Sequence, residues 1–145
     1  MPAGGYRADL PSSDVWPELE KDSEAVLVDV RSRAEWTFVG VPDLSPVARE
    51  PVLLEWQQYP GMQVNGQFVG ELKRLLDERG AGEDTAIFFL CRSGGRSAAA
   101  AAAMAAAGYS NCVNVSDGFE GPADEARHRG TVAGWKAAGL PWVQS

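Results

Sequence analysis

Cys91 heads the run Cys91-Arg92-Ser93-Gly94-Gly95-Arg96-Ser97, in which one nucleophile, two cations and two glycines fall together. A cysteine does chemistry as its thiolate, which is stabilised by positive charge and by backbone N–H groups at the start of a helix. Arg92 and Arg96 supply the charge. Gly94-Gly95 lets the chain turn sharply enough for its amides to converge, a geometry that also holds phosphate or sulfate. Cys91 is therefore the candidate nucleophile, and Arg92, Ser93, Gly94, Gly95, Arg96 and Ser97 are the candidate anion-binding residues. This reading requires that solvent reach the sulfur. A cysteine that is only a small buried core residue is the plainer alternative, and Arg96 has one as well, pairing with a nearby carboxylate instead of an anion.

The flanking sequence says what must position this run. Residues 86–90 are apolar without a break, as in a parallel strand covered on both faces. Residues 97–107 are mostly alanine, the strongest helix former, and stop at Gly108. Further strands are expected at 25–28, 113–115 and, briefly, 52–54. Helices are expected at 11–21 and 68–79, a helical turn at 32–36, a proline-rich loop at 42–51, and a short helix near 131–138. The β-α-β alternation calls for a parallel sheet with helices on both faces. Ligands of such sheets gather at the C-terminal strand ends, where Cys91, Asp29, Arg31 and Asp117-Gly118 would meet. Residues 118–145, with five glycines and two tryptophans, read as a wrapping segment whose tryptophans cover core.

The whole chain bounds the function. At 145 residues it suits a single domain, 1–145, with residues 1–5 expected to be flexible. A formal net charge of −7 argues against a nucleic-acid partner, which needs a basic face. It also means that any anion must be captured locally. Residues 1–9 do not resemble a signal peptide, and no apolar stretch is long enough to span a bilayer, so a cytoplasmic protein without a membrane partner is expected. That compartment keeps thiols reduced. Cys112 is expected about 15 Å from Cys91, at the opposite edge of the sheet, beyond the roughly 7 Å a disulfide allows. It reads as a packed thiol. His128, in Glu125-Ala126-Arg127-His128-Arg129, reads as a solvated residue, and neither a metal cluster nor a cofactor motif is present.

Taken together, the chain resembles the rhodanese family of single-domain sulfurtransferases. The likeness rests on Leu27-Val28-Asp29-Val30-Arg31 with Glu35, on the loop Cys91 to Ser97, and on Gly118-Phe119-Glu120-Gly121 ahead of Trp135 and Gly139-Leu140-Pro141. It implies a single rhodanese-like α/β domain, a five-stranded parallel sheet flanked by helices, and a cysteine that carries sulfur as a persulfide. The related phosphatases have one more residue between cysteine and arginine; four separate Cys91 from Arg96 here, a smaller ring that suits sulfur. The chain departs from the family at Phe38-Val39-Gly40-Val41-Pro42-Asp43, in a longer connection through Tyr59 and Gln67, and in the addition at 122–130.

The implied reaction is ping-pong. Cys91 attacks the outer sulfur of a small anionic donor such as thiosulfate, sulfite leaves, and cyanide, a low-mass thiol or a protein thiol removes the sulfur. No separate base and no cofactor are needed. Two other readings keep the same loop: a phosphatase or arsenate reductase using Cys91, and a non-catalytic module that holds an anion or a partner's carboxylate.

Overall fold

The computed structural model describes residues 5–58, 61 and 63–144. In chain order these form β1 (Ala8–Leu10), α1 (Ser12–Lys21), β2 (Val26–Asp29), α2 (Arg33–Phe38), β3 (Val41–Pro42), β4 (Val52–Leu53), β5 (Gln57–Gln58), β6 (Gln63–Val64), α3 (Phe68–Glu78), β7 (Ile87–Leu90), α4 (Gly95–Ala106), β8 (Cys112–Val115) and β9 (Trp142–Val143). A 3-10 turn, Ser45–Val47, interrupts the expected proline-rich loop.

Five strands make one sheet in the order β1-β8-β7-β2-β4, with every pair parallel. Strand periodicity sends alternate residues to opposite faces, and each face has its own core. Val26, Val28, Ile87 and Phe89 pack with Phe68, Leu72 and Leu76 of α3 and with Ala100, Ala101 and Met104 of α4. Leu27, Phe88, Leu90, Val113 and Val115 pack with Val15 and Leu19 of α1 and with Phe119 and Trp135. Helices therefore cover both faces, as the alternation of elements requires. The small side chains of Ala100 and Ala101 are fully buried and bring α4 close to the sheet.

Three expectations need correction. The helix near 131–138 is absent: those residues form bends and turns with a single Ala138 N–H to Gly134 O bond of 2.9 Å spanning a helical turn. Gly134 (φ +106°) and Gly139 (φ +74°) are left-handed, and a Cβ at Gly134 would meet the Gly121 nitrogen at 2.7 Å, so the backbone is bent for close packing. The alanine helix starts at Gly95, two residues earlier than expected, which shortens the turn after Cys91. Thirdly, β1 lies in a stretch for which no strand was expected; Ala8, Asp9 and Leu10 carry no pattern and are strand by virtue of pairing with Val113, Asn114 and Val115. Of the segments expected to be flexible, residues 1–4 lie outside the described residues, as does Tyr59. Among the described residues, no helix is long and apolar enough to cross a membrane.

Candidate active site

Strand β7 runs straight into Cys91, and α4 begins four residues later. The turn between them needs Gly94 at φ +106°, where a Cβ would lie 2.4 Å from the Ser116 carbonyl oxygen. Gly118 closes the other side: at φ +68°, its missing Cβ would fall 2.3 Å from the Arg92 carbonyl oxygen. Backbone bonds then tie the C-terminal segment to the loop, Phe119 N–H to Cys91 O at 2.8 Å and Glu120 N–H to Arg92 O at 3.0 Å. The loop is thus built from both sides, one being the wrapping segment.

At its floor, Cys91 Sγ accepts the Gly94 N–H at 3.1 Å and lies 3.2 Å from Ser97 Oγ. Gly95, Arg96 and Ser97 occupy the first turn of α4, where amides have no intrahelical acceptor and the helix dipole is positive. The Ser97 hydroxyl also lies 2.6 Å from Asn114 Oδ1. Asn114 Nδ2 donates to Gly94 O at 3.2 Å and to Asp9 Oδ1 at 3.0 Å, which turns its oxygen toward Ser97. A polar chain runs on to Tyr6, whose hydroxyl donates to Asp9 at 2.7 Å; burial, then Asp9, pushes Tyr6 up to about 12. Asn114 is the one polar residue of buried β8, a signal that could have marked it from sequence.

Cys91 itself is 1% exposed. This departs from the accessible sulfur expected: the thiol is closed off, while Arg92 and Ser93 beside it in the chain are exposed. Cys112 is fully buried and pairs in register with Ile87, at the far end of the strands from Cys91. Both cysteines are free.

Arg96 does find a carboxylate. Its Nη1 and Nη2 donate to Glu35 Oε1 and Oε2 at 2.6 and 2.9 Å. Glu35 sits in the first turn of α2, where it closes a capping box with Ser32. Burial alone would raise its carboxyl, but the hydrogen bonds from Arg96 and the Ser32 backbone outweigh this and hold it at about 2. The same pair raises Arg96, Glu35 being the chief cause. At the same sheet edge, Arg31 and Asp29 form a fully buried pair at 2.6 Å, with Arg31 Nη2 also on Gly40 O and the guanidinium over the Phe119 ring. Asp117 pins Ser12 and Gly134 through both carboxylate oxygens.

Outside the loop lies an open groove of about 570 Å³ lined by Arg92, Arg96, Arg129, Glu35, Glu120 and Phe38, among others. Residues of the unusual 38–67 and 122–130 segments therefore form its walls. Nothing in the sequence marked Arg129 for this place. A second cavity, about 460 Å³, opens at the other sheet edge around Ala25, Arg49 and Arg79. There Arg49 donates to the carbonyls of Leu19, Asp22 and Ala25, and Arg79 to that of Glu50, so both arginines hold the backbone. His128 is exposed and away from the sulfur network, its backbone N–H bonded to Asp124. Trp135 is fully buried, whereas Trp142 is partly exposed beneath Lys136.

Comparisons agree with this architecture. The family described as the STR4 middle domain matches residues 11–145. Protein RP600 of Rickettsia prowazekii is 40% identical over 131 residues, 90% of this chain and 93% of its own length. The crystal structure of Rv0390 from M. tuberculosis superposes with a TM-score of 0.85 at 45% identity, covering 97% of this chain and 99% of that one. Two more distant structures share the fold. They are the polysulfide-sulfur transferase homodimer of Wolinella succinogenes, with a TM-score of 0.59, 20% identity and 99% and 83% coverage, and a rhodanese-like domain protein of Staphylococcus aureus, with 0.52, 18% and 77% and 87%. With its match over residues 11–145 and a near full-length relative at 40% identity, the chain belongs to the STR4 middle-domain family and has the rhodanese-like fold.

Proposed function

We propose that the protein is a sulfurtransferase that carries sulfane sulfur on Cys91. The observation that carries this reading is the set of donors at the sulfur, Gly94 N–H at 3.1 Å and Ser97 O–H at 3.2 Å, at the positive end of α4. Donors so placed stabilise the attacking Cys91 thiolate and the same thiolate when the acceptor takes the outer sulfur. In the first half-reaction the Cys91 thiolate attacks the outer sulfur of a donor such as thiosulfate. A bond forms from Sγ to that sulfur, and the sulfur–sulfur bond of the donor breaks with its electron pair leaving on sulfite. In the second, an acceptor, whether cyanide, a low-mass thiol or a protein thiol, takes the outer sulfur and returns the Cys91 thiolate. Arg92, exposed and next to Cys91 in the chain, offers its charge to the donor anion. The name of the Wolinella neighbour points to the same chemistry. Two free cysteines suit a reducing, cytoplasmic setting with thiol acceptors at hand.

The test is the intact mass after incubation with thiosulfate. One added sulfur atom, released by cyanide and absent from Cys91→Ser, is the expected result, and Arg92→Ala should need more thiosulfate to load. Folded protein that takes up no sulfur, or takes it up in Cys91→Ser, overturns the reading. The 1% exposure of Cys91 favours a second reading in that case, a non-catalytic module whose loop and groove hold an anion or a partner's carboxylate.

A further inference from the structure

We propose that Arg129 makes the protein select a thiol acceptor that bears a carboxylate. The inference rests on the sulfur-transfer reading and adds the class of molecule that empties Cys91. The groove at the loop has about 570 Å³, within the roughly 300–1,000 Å³ of sites that take organic ligands, whereas thiosulfate or cyanide needs only the loop itself. Three arginines and two glutamates line it, so its walls are net positive on a chain of net charge −7. Arg96 is occupied by Glu35 through both nitrogens. Arg92 and Arg129 have no carboxylate within salt-bridge distance among the described residues.

Both of these cations line the groove. Arg92 follows the sulfur residue directly. Arg129 comes from the 122–130 addition, held by Gly130 N–H on Glu120 O at 2.6 Å and by the Asp124–His128 turn. Its own Nη1 donates to Gly121 O at 2.7 Å. One nitrogen is thus anchored to backbone while the rest of a half-buried guanidinium is left for a ligand, and little side-chain freedom remains to be lost on binding. Glu120 also faces the groove, but Lys136 is close enough to feel its charge. A carboxylate on Arg129 holds an acceptor in the groove that Arg92, the residue following Cys91, also lines. The acceptor thiolate then attacks the outer sulfur of the persulfide. Its new S–S bond forms as the Sγ–S bond breaks, the electron pair returns to Sγ, and the acceptor departs as its own persulfide.

Protein preloaded with sulfur from thiosulfate tests this with 3-mercaptopropionate and 2-mercaptoethanol, which differ in carboxylate against hydroxyl. The kcat/KM ratio of the two acceptors should favour the acid and fall about tenfold in Arg129→Gln, the scale of one charge-assisted pair, with Arg129→Lys between. An unchanged ratio overturns the proposal. An equilibrium titration of unloaded protein with 3-(methylthio)propionate, followed by amide NMR shifts, needs no sulfur transfer; affinity should drop about tenfold in Arg129→Gln, and equal affinity also overturns it. Arg129-dependent binding by a protein that never loads sulfur would sink the transferase reading and leave the carboxylate site standing.

Discussion

Arg96 and Glu35 lie 61 positions apart in the chain and meet fork to fork, two N–H···O bonds of 2.6 and 2.9 Å joining the first turn of α4 to the first turn of α2. Each helix start is thereby fixed by the other, and the cysteine loop hangs from one of them. The side chains are 20% and 21% exposed, so water screens the pair only in part.

Glu35 accordingly makes stability depend on acid. Its carboxyl is lowered from 4.5 to about 2 in the folded protein, so the stabilisation is complete above about 4.5 and is lost as pH falls toward 2. The full shift corresponds to roughly 3 kcal/mol, and partial exposure brings the expectation to about 1–3 kcal/mol. Glu35→Gln should lower Tm at pH 7 by about 2–4 °C for each kcal/mol and flatten the stability profile between pH 4.5 and 2. Urea titrations across that range would show it; parallel profiles for the two proteins would mean that the pair contributes nothing.

Ser97 has one proton and two acceptors, Cys91 Sγ and Asn114 Oδ1. A Cys91 thiolate and the Asn114 oxygen therefore compete for the one hydroxyl proton. Ser97→Ala takes this one donor from both acceptors. The buried Asn114 oxygen is left without a donor, a loss of about 1–3 kcal/mol. Sulfur loading should slow by about 10–100-fold, since a hydrogen bond to a charged group is worth roughly 1.5–3 kcal/mol. Stopped mass measurements of persulfide formation decide the point, and a loading rate equal to wild type would remove Ser97 from the chemistry.

Much of this arrangement was legible beforehand, and the exceptions share a cause. Local signals were strong wherever burial or propensity acts on a continuous run: the apolar β7, the alanines of α4, and Leu72 and Leu76 on the buried face of α3. The seven loop residues could be named because their types are unusual together. The strand β1 was not legible, because its three residues owe their form to partners about 105 positions away. Arg129 escaped for the same reason: inside a charged stretch it looks like any solvated arginine, and only the tertiary path of the 122–130 segment brings it beside the loop. The helix expected near 131–138 failed where close backbone packing at Gly134 overrode local preference.

Gly118 should tolerate no side chain. A Cβ there would lie 2.3 Å from Arg92 O, 2.5 Å from Arg92 C and 2.6 Å from Ser93 N. All three are backbone atoms, so no rotamer change relieves the clash, and φ +68° adds strain for any L-residue. Gly118→Ala is expected to destabilise by more than about 2 kcal/mol and to push the cysteine loop from its place. Gly66→Ala, where a Cβ meets nothing within 4 Å among the described residues, is the control that should melt near wild type. Equal melting temperatures for the two variants would show that the loop and the C-terminal segment do not pack as closely as described.

The second thiol predicts behaviour in alkali. Burial pushes Cys112 up from 9.0 to about 12, so the folded protein keeps a proton that the unfolded chain releases near 9. A group whose folded value is raised in this way contributes stability below pH 9 and loses it as pH climbs toward 12. Tyr6, raised from 10.0 to about 12, and Tyr109, also raised by burial, join the decline only near pH 10. Cys112→Ala should therefore lose less stability per pH unit than wild type from pH 9 up toward 12, the tyrosines adding equally to the decline of both proteins above about pH 10, in urea titrations over that range. It should also still gain one sulfur from thiosulfate, because Cys112 sits at the opposite end of the strands from Cys91 and outside its hydrogen-bond network. A variant that folds but no longer loads sulfur would place Cys112 in the reaction.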